Sequence, residues 1–207
     1  MTASDEQVLA AVRAHWDDAA DDVEHLPDGD GAHHWRVRVH GRPALVATLD
    51  ATSREAAYAG AAALAFRLDF VVASLPTHEL GYDVPLAGGA LSCTPWVWGE
   101  RPPDTRATAE ATAAMLRRLH AVTPPPGLPR WEPPTVAAAE VARGRPWVVT
   151  HGDPGPRHQL VTPVRTLLVG WGSLRLAPAE RDLRVLAADH PDLVDADPEV
   201  LELFARA

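Results

Sequence analysis

The sequence predicts an α+β fold with strands and helices segregated along the chain, and three observations carry that prediction. In the first half, "HHWRVRVHGRPALVATL" from His33 alternates Trp35, Val37 and Val39 with polar residues, breaks at a turn and resumes as an apolar run, and "GALSCTPWVW" from Gly89 fits a further short strand. Apolar residues fall at helical spacing in the second half, as in "DTRATAEATAAMLRRLHAV" from Asp104. Between them lies "GERPPD", whose Pro102-Pro103 pair breaks both patterns and predicts a boundary between a β-rich lobe, 1–101, and a reduced helical lobe, 102–207.

The elements follow in order. "SDEQVLAAVRAHW" places Ser4 as N-cap, Gln7 three residues on, and Val8, Val12 and Trp16 on one helical face. "PDGDGA" reads as a glycine turn feeding the first strand of a hairpin from His33, which turns at His40-Gly41-Arg42-Pro43. Thr52 and Glu55 are spaced like a capping box for a second helix, "TSREAAYAGAAALAFRL". Short strands are expected in "FVVASL", "DVPLA" and "GALSCTPWVW". Beyond the boundary come a helix capped by Asp104 or Thr105, a proline-rich surface loop "TPPPGLPRWEPPT", and a short helix "VAAAEVARG". A strand "PWVVT" follows, then two short strands in "LVTPVRTLLVGW" and terminal helices in "PAERDLRVLAAD" and "DPEVLELFARA".

Charge narrows the function. The 207 residues are 46% hydrophobic, enough for a substantial core, and carry a net charge of -9 with pI near 5.5. That balance argues against nucleic acid and anionic membranes, which are bound through basic residues, and favours a small cationic ligand or a protein partner. The 19 basic residues are all arginine, so no ammonium side chain can hold a phosphate. Cys93 is the only cysteine and reads as a small buried strand residue, excluding an internal disulfide. The N-terminus lacks a basic stretch followed by an apolar run and no segment is long enough to span a bilayer, so a cytoplasmic protein is expected.

Chemistry concentrates in "HGDPGPRHQLV", His151 to Val161. This stretch resembles the catalytic loop of the aminoglycoside phosphotransferase family, which has the protein-kinase-like two-lobe fold. "LSCTPWVWGE" is similar to that family's hinge strand, "AMLRRLHAV" to its helix ending in Leu-His, and "LAPAERDL" to the segment after its metal loop. These landmarks occur in the family's order over most of the chain. The resemblance implies a phosphotransferase ancestry with ATP and Mg2+ as cofactors. It places Asp153 at the catalytic carboxylate and His151 at a loop histidine that braces the backbone; a turn-capping role for Asp153 stays open.

Other positions depart from the family pattern. His158 stands where the family has a metal-binding Asn, and Gly170 where it has the metal-binding Asp; a second acidic position falls at Gly172. Mg2+ takes hard oxygen ligands, which glycine lacks and imidazole replaces poorly, so no metal ligand is assigned. Ala47 and Thr48 occupy the neighbourhood of the strand lysine, leaving Glu55 as the remaining half of a Lys-Glu pair or as a helix cap. Gly29 and Gly31 could admit phosphates to backbone amides, although Asp28 and Asp30 beside them make a plain turn the simpler reading. Trp96, with Trp98, offers a flat apolar or cation-π face near the hinge, or one core and one surface residue.

The expectation is therefore a degenerate phosphotransferase homologue, a pseudoenzyme holding a small cationic ligand or a protein partner in the inherited cleft, with no cofactor assigned. A small second lobe leaves room for completion by a second subunit in a homo-oligomer. Two alternatives remain: an active ATP- and Mg2+-dependent phosphotransferase with Asp153 as base, and a nucleotide-independent acid-base enzyme using His151, Asp153 and His158.

Overall fold

The computed structural model describes residues 3–27 and 31–205, and in them the chain forms two compact units. The first comprises 1–62 and 72–97, the second 63–71 and 98–207.

In the first unit, α1 (Asp5–His15) starts at Ser4, whose hydroxyl accepts from the Gln7 amide while the Gln7 side chain accepts from the Ser4 amide, the complete capping box expected. Its buried residues Val8 and Val12 lie four apart and so share one face. They enter the same core as Trp35, Val37, Leu49 and Leu91, from the sheet that follows. Trp35 is fully buried and donates its indole N–H to Asp5 at 2.8 Å, so helix and sheet are joined by a polar bond as well as by packing.

That sheet is antiparallel, with strand order β1-β2-β3-β5-β4. Its strands are β1 (Ala20–Leu26), β2 (His33–Val39), β3 (Arg42–Asp50), β4 (Val84–Leu86) and β5 (Gly89–Pro95). The predicted hairpin is β2-β3. β1 was absent from the sequence reading, so the expected first strand is in fact the second. The segment "FVVASL" is not a strand; it contributes a single bridge from Val71 to Leu168 and otherwise runs as a buried connection. Cys93 is buried in β5, and burial pushes its thiol pKa up.

α2 (Glu55–Ala65) precedes that connection. No capping box forms at Thr52: Ser53 Oγ accepts from the Glu55 amide, and the Glu55 carboxylate instead accepts from the Tyr82 and Asp83 amides at 2.7 and 3.0 Å. That carboxylate therefore ties the 82–83 loop to the start of α2 instead of capping the helix.

In the second unit, α3 (Arg106–His120) is capped by Thr105 and buries Met115, Leu116 and Leu119. α4 (Val136–Arg143) and α6 (Pro198–Ala205) share a core with Trp131 and Phe204, whose rings stack at 4.9 Å. β6 (Trp147–Thr150) pairs with β9 (Arg175–Pro178), a strand not anticipated from sequence, and β7 (Gln159–Val161) pairs with β8 (Thr166–Leu168). α5 (Glu180–Ala187) follows β9. β6 and β9 flank the 151–174 segment, closing it at both ends.

Candidate active site

The loop leaving β6 is held from behind by Asp182 of α5. This carboxylate is fully buried and accepts from the His151 amide at 2.9 Å, the Gly152 amide at 2.6 Å and His120 Nε2 at 3.0 Å. Burial opposes its charge, but these bonds and the nearby histidines hold its pKa below the ordinary carboxylate value. Gly152 has φ +99°, and the Arg181 guanidinium lies where a side chain would begin, so only glycine fits this bend. Arg181 donates to Thr150 Oγ1 and the Ser173 carbonyl, and Arg184 to the Gly152 carbonyl.

His151 has no exposed surface. Its Nε2 donates to the Val169 carbonyl at 2.9 Å and its Nδ1 accepts from the Asp153 amide at 3.3 Å, a neutral tautomer with both nitrogens engaged. Burial pushes its pKa down to about 4. The ring packs edge-on against Trp171 with centroids 4.6 Å apart.

Asp153 is on the open side of the loop, its side chain 25% exposed. Arg157 Nε donates to Asp153 Oδ2 at 2.8 Å, and His158 Nδ1 lies 3.3 Å from the same oxygen and 2.8 Å from the Asp153 carbonyl. Partial burial opposes ionisation, yet His158 and Arg157 together hold the carboxyl well below its usual range. The carboxylate already has a counter-charge in Arg157 and a ring nitrogen of His158 beside it.

The decisive contact joins His158 to Gly170. Gly170 adopts φ +76°, ψ +46°, a left-handed conformation that side chains rarely adopt, just before the 3-10 turn Trp171–Ser173. A Cβ on it would lie 2.5 Å from His158 Cδ2 and 3.1 Å from His158 Nε2. The imidazole therefore fills the space into which a residue-170 side chain would extend. The residues present do not fit a bound Mg2+: Gly170 supplies no carboxylate, His158 supplies nitrogen and blocks one, and among the described residues no three His, Cys, Asp or Glu side chains converge to hold a metal.

The remaining predicted site residues lie apart from this loop in sequence and in role. Gly31 is an exposed turn residue with φ +78°, while Gly29, Asp28 and Asp30 lie outside the described residues. Glu55 is committed to the Tyr82 and Asp83 amides. Ala47 is buried in the core and Thr48 Oγ1 pairs with His34 Nδ1 at 3.0 Å, so neither stands in for a lysine. The Arg36 guanidinium lies 5.7 Å from the Trp96 ring centroid, and Trp98 is 70% exposed. Asp182, absent from the sequence-derived site, was detectable only as the carboxylate of "ERDL".

No protein-family model matches the chain, and no curated protein sequence matches it. Solved structures do. The chain is similar to a spectinomycin phosphotransferase solved with ADP and spectinomycin, at 12% identity and TM-score 0.75 over 99% of this chain and 84% of that one. It is similar to a macrolide 2'-phosphotransferase from Brachybacterium faecium, at 17% identity and TM-score 0.59 over 98% and 81%. It is also similar to an aminoglycoside phosphotransferase from Alicyclobacillus acidocaldarius, at 12% identity and TM-score 0.64 over 99% and 76%. The chain has the kinase-like α+β fold of the aminoglycoside phosphotransferases. Among the described residues, no helix is long and apolar enough to cross a membrane.

Proposed function

We propose that this protein is a phosphotransferase-like scaffold that has lost Mg-ATP phosphoryl transfer and works by binding a small cationic ligand. The observation that carries the loss is the His158 ring seated against Gly170. In a phosphotransferase of this fold, metal ions neutralise the charge that develops on the transferred group. Here the carboxylate is missing and its space is filled, so the defect is steric as well as chemical. Absence of lysine removes the usual compensating cation. The acidic balance of the chain supports a cationic ligand, although Asp153, already met by Arg157 and His158, is a poor place for one.

The acid-base alternative loses support because His151 is buried with both nitrogens engaged. Active phosphotransfer retains one supporting feature, Asp153 on a fully anchored loop. An ADP-release assay with Mg-ATP and a panel of amino and hydroxyl compounds separates these readings. Release no faster for the protein than for Asp153→Ala is expected; acceptor-dependent release that Asp153→Ala abolishes would overturn the proposal.

A further inference from the structure

Two arginines of α5 stand against the 150–152 bend. Arg181 and Arg184 are three positions apart, so they are neighbours on one face of the helix, and both reach Gly152. The Arg181 guanidinium fills the space that a residue-152 side chain would take, and donates to Thr150 Oγ1 at 3.0 Å and to the Ser173 carbonyl at 3.1 Å. Arg184 donates to the Gly152 carbonyl at 3.2 Å and to the Arg181 carbonyl at 2.6 Å. Every one of these acceptors is a neutral oxygen.

That pattern sets the two apart from other arginines of the chain. Arg36, Arg106 and Arg145 each lie within ion-pair distance of a carboxylate, as a net charge of -9 makes easy. Neither nearby carboxylate serves Arg181 or Arg184 in this way: Asp182 gives its oxygens to the His151 and Gly152 amides and to His120, and Asp153 is taken by Arg157. Both arginines are half-buried. Burial pushes both below the ordinary guanidinium value, Arg181 to about 10 with Arg184 and Arg175 adding repulsion, although Asp182 and Asp153 pull the other way. The fold thus fixes two cations without neutralising them.

Their remaining donors are open. Arg181 Nε and Nη2 and Arg184 Nε have no acceptor among the described residues, and none of the three is sealed from solvent. A guanidinium fork matches the paired oxygens of a phosphate, and two such cations balance the roughly two negative charges that a phosphomonoester carries at pH 7. A carboxylate brings one charge and leaves the other unmet.

We propose that Arg181 and Arg184 bind the phosphate group of a small phosphomonoester beside the Gly152 bend. Their bonds to Thr150, Ser173 and Gly152 hold the two forks in place before a ligand arrives, which limits the ordering cost of binding. The site needs neither Mg2+ nor a nucleotide, and it is separate from the cationic ligand proposed above.

Arginine 15Nε signals read the site directly. Titration with methyl phosphate at constant ionic strength is expected to move the Arg181 and Arg184 signals together and saturably, and to leave that of Arg106, paired with Glu110 and Asp192, in place. Arg181→Lys and Arg184→Lys each delete one signal and so assign it. Both keep the charge but lose the fork, and each should weaken binding about tenfold, the effect of losing one charged hydrogen bond. Thermal midpoints without ligand show whether the loop is intact; should Arg181→Lys lower its midpoint, Arg184→Lys carries the comparison. Acetate is expected to move neither signal, and acetate binding as tight as that of methyl phosphate would contradict the phosphate assignment. Much tighter binding of inorganic phosphate than of the ester would assign the site to free phosphate and remove the ester. Methyl phosphate that moves neither signal, or moves all arginine signals alike without saturation, would overturn the site. These titrations contain no amine, so their failure leaves the cationic-ligand reading standing.

Discussion

Asp182 and Asp153 serve opposite sides of one loop, and their surroundings could hardly differ more. Asp182 is fully buried, and its oxygens are used by the loop's own amides and by His120. Asp153 is partly exposed and met by Arg157 and His158, two side chains that follow it within five positions. One carboxylate holds the loop's shape; the other stands where chemistry would occur and is neutralised. The lesson is that the loop's conformation and the charge pairing on its open side rest on separate residues, so the loop keeps its shape independently of what Asp153 does.

The contrast can be broken experimentally. Asp182→Ala leaves three donors unsatisfied in a buried site and should cost about 3–5 kcal/mol in urea denaturation, enough to threaten folding. A loss below about 1 kcal/mol would mean that the loop is held by something else.

Acid should expose the next largest effect. His151 is buried neutral with its pKa lowered from 6.5 to about 4, so the unfolded chain binds a proton there before the folded chain does. Its contribution is therefore fully present above pH 6.5 and lost as pH falls towards 4, by on the order of 3 kcal/mol. Below that, Asp182 and Asp153, both held under the usual carboxylate range, add further loss as they are protonated. Urea midpoints across this interval test the slope; a flat profile would contradict the buried neutral ring.

Gly170→Asp should destabilise by about 1–3 kcal/mol, because it strains a left-handed residue and drives Cβ into the His158 ring. Adding His158→Asn removes the steric part, and the double variant should recover stability relative to Gly170→Asp alone. Equal stability of the single variant and the parent would show that the ring yields freely. The smallest effect belongs to Asp153→Ala, within about 1 kcal/mol, since it removes a solvent-screened pair with a half-exposed Arg157.

Much of the frame was legible because local chemistry dictates it. Ser4 and Gln7 announce the α1 cap, Asp104-Thr105 the start of α3, where Thr105 proves to be the cap, and the alternation around Trp35 and Val37 the hairpin. β1 was missed because its sequence, "ADDVEHL", is polar apart from Ala20, Val23 and Leu26, as suits a sheet-edge strand. "FVVASL" misled in the opposite sense: its apolar residues are buried by a connection, without a ladder. In the site, the missing carboxylate at Gly170 could be read directly, but the obstruction by His158 could not. Twelve positions separate the two residues, and only the return of β8 beside β7 brings them together. Asp182 escaped notice because a carboxylate in a helix ordinarily reads as surface, and its burial depends on amides far away in sequence.

The central claim is that the loop no longer binds Mg-ATP productively. Calorimetric titration of the purified protein with ATP, with and without Mg2+ and beside Asp153→Ala, tests it most directly. No magnesium-dependent binding is expected in either protein; tight magnesium-dependent binding that is weakened in Asp153→Ala would contradict it.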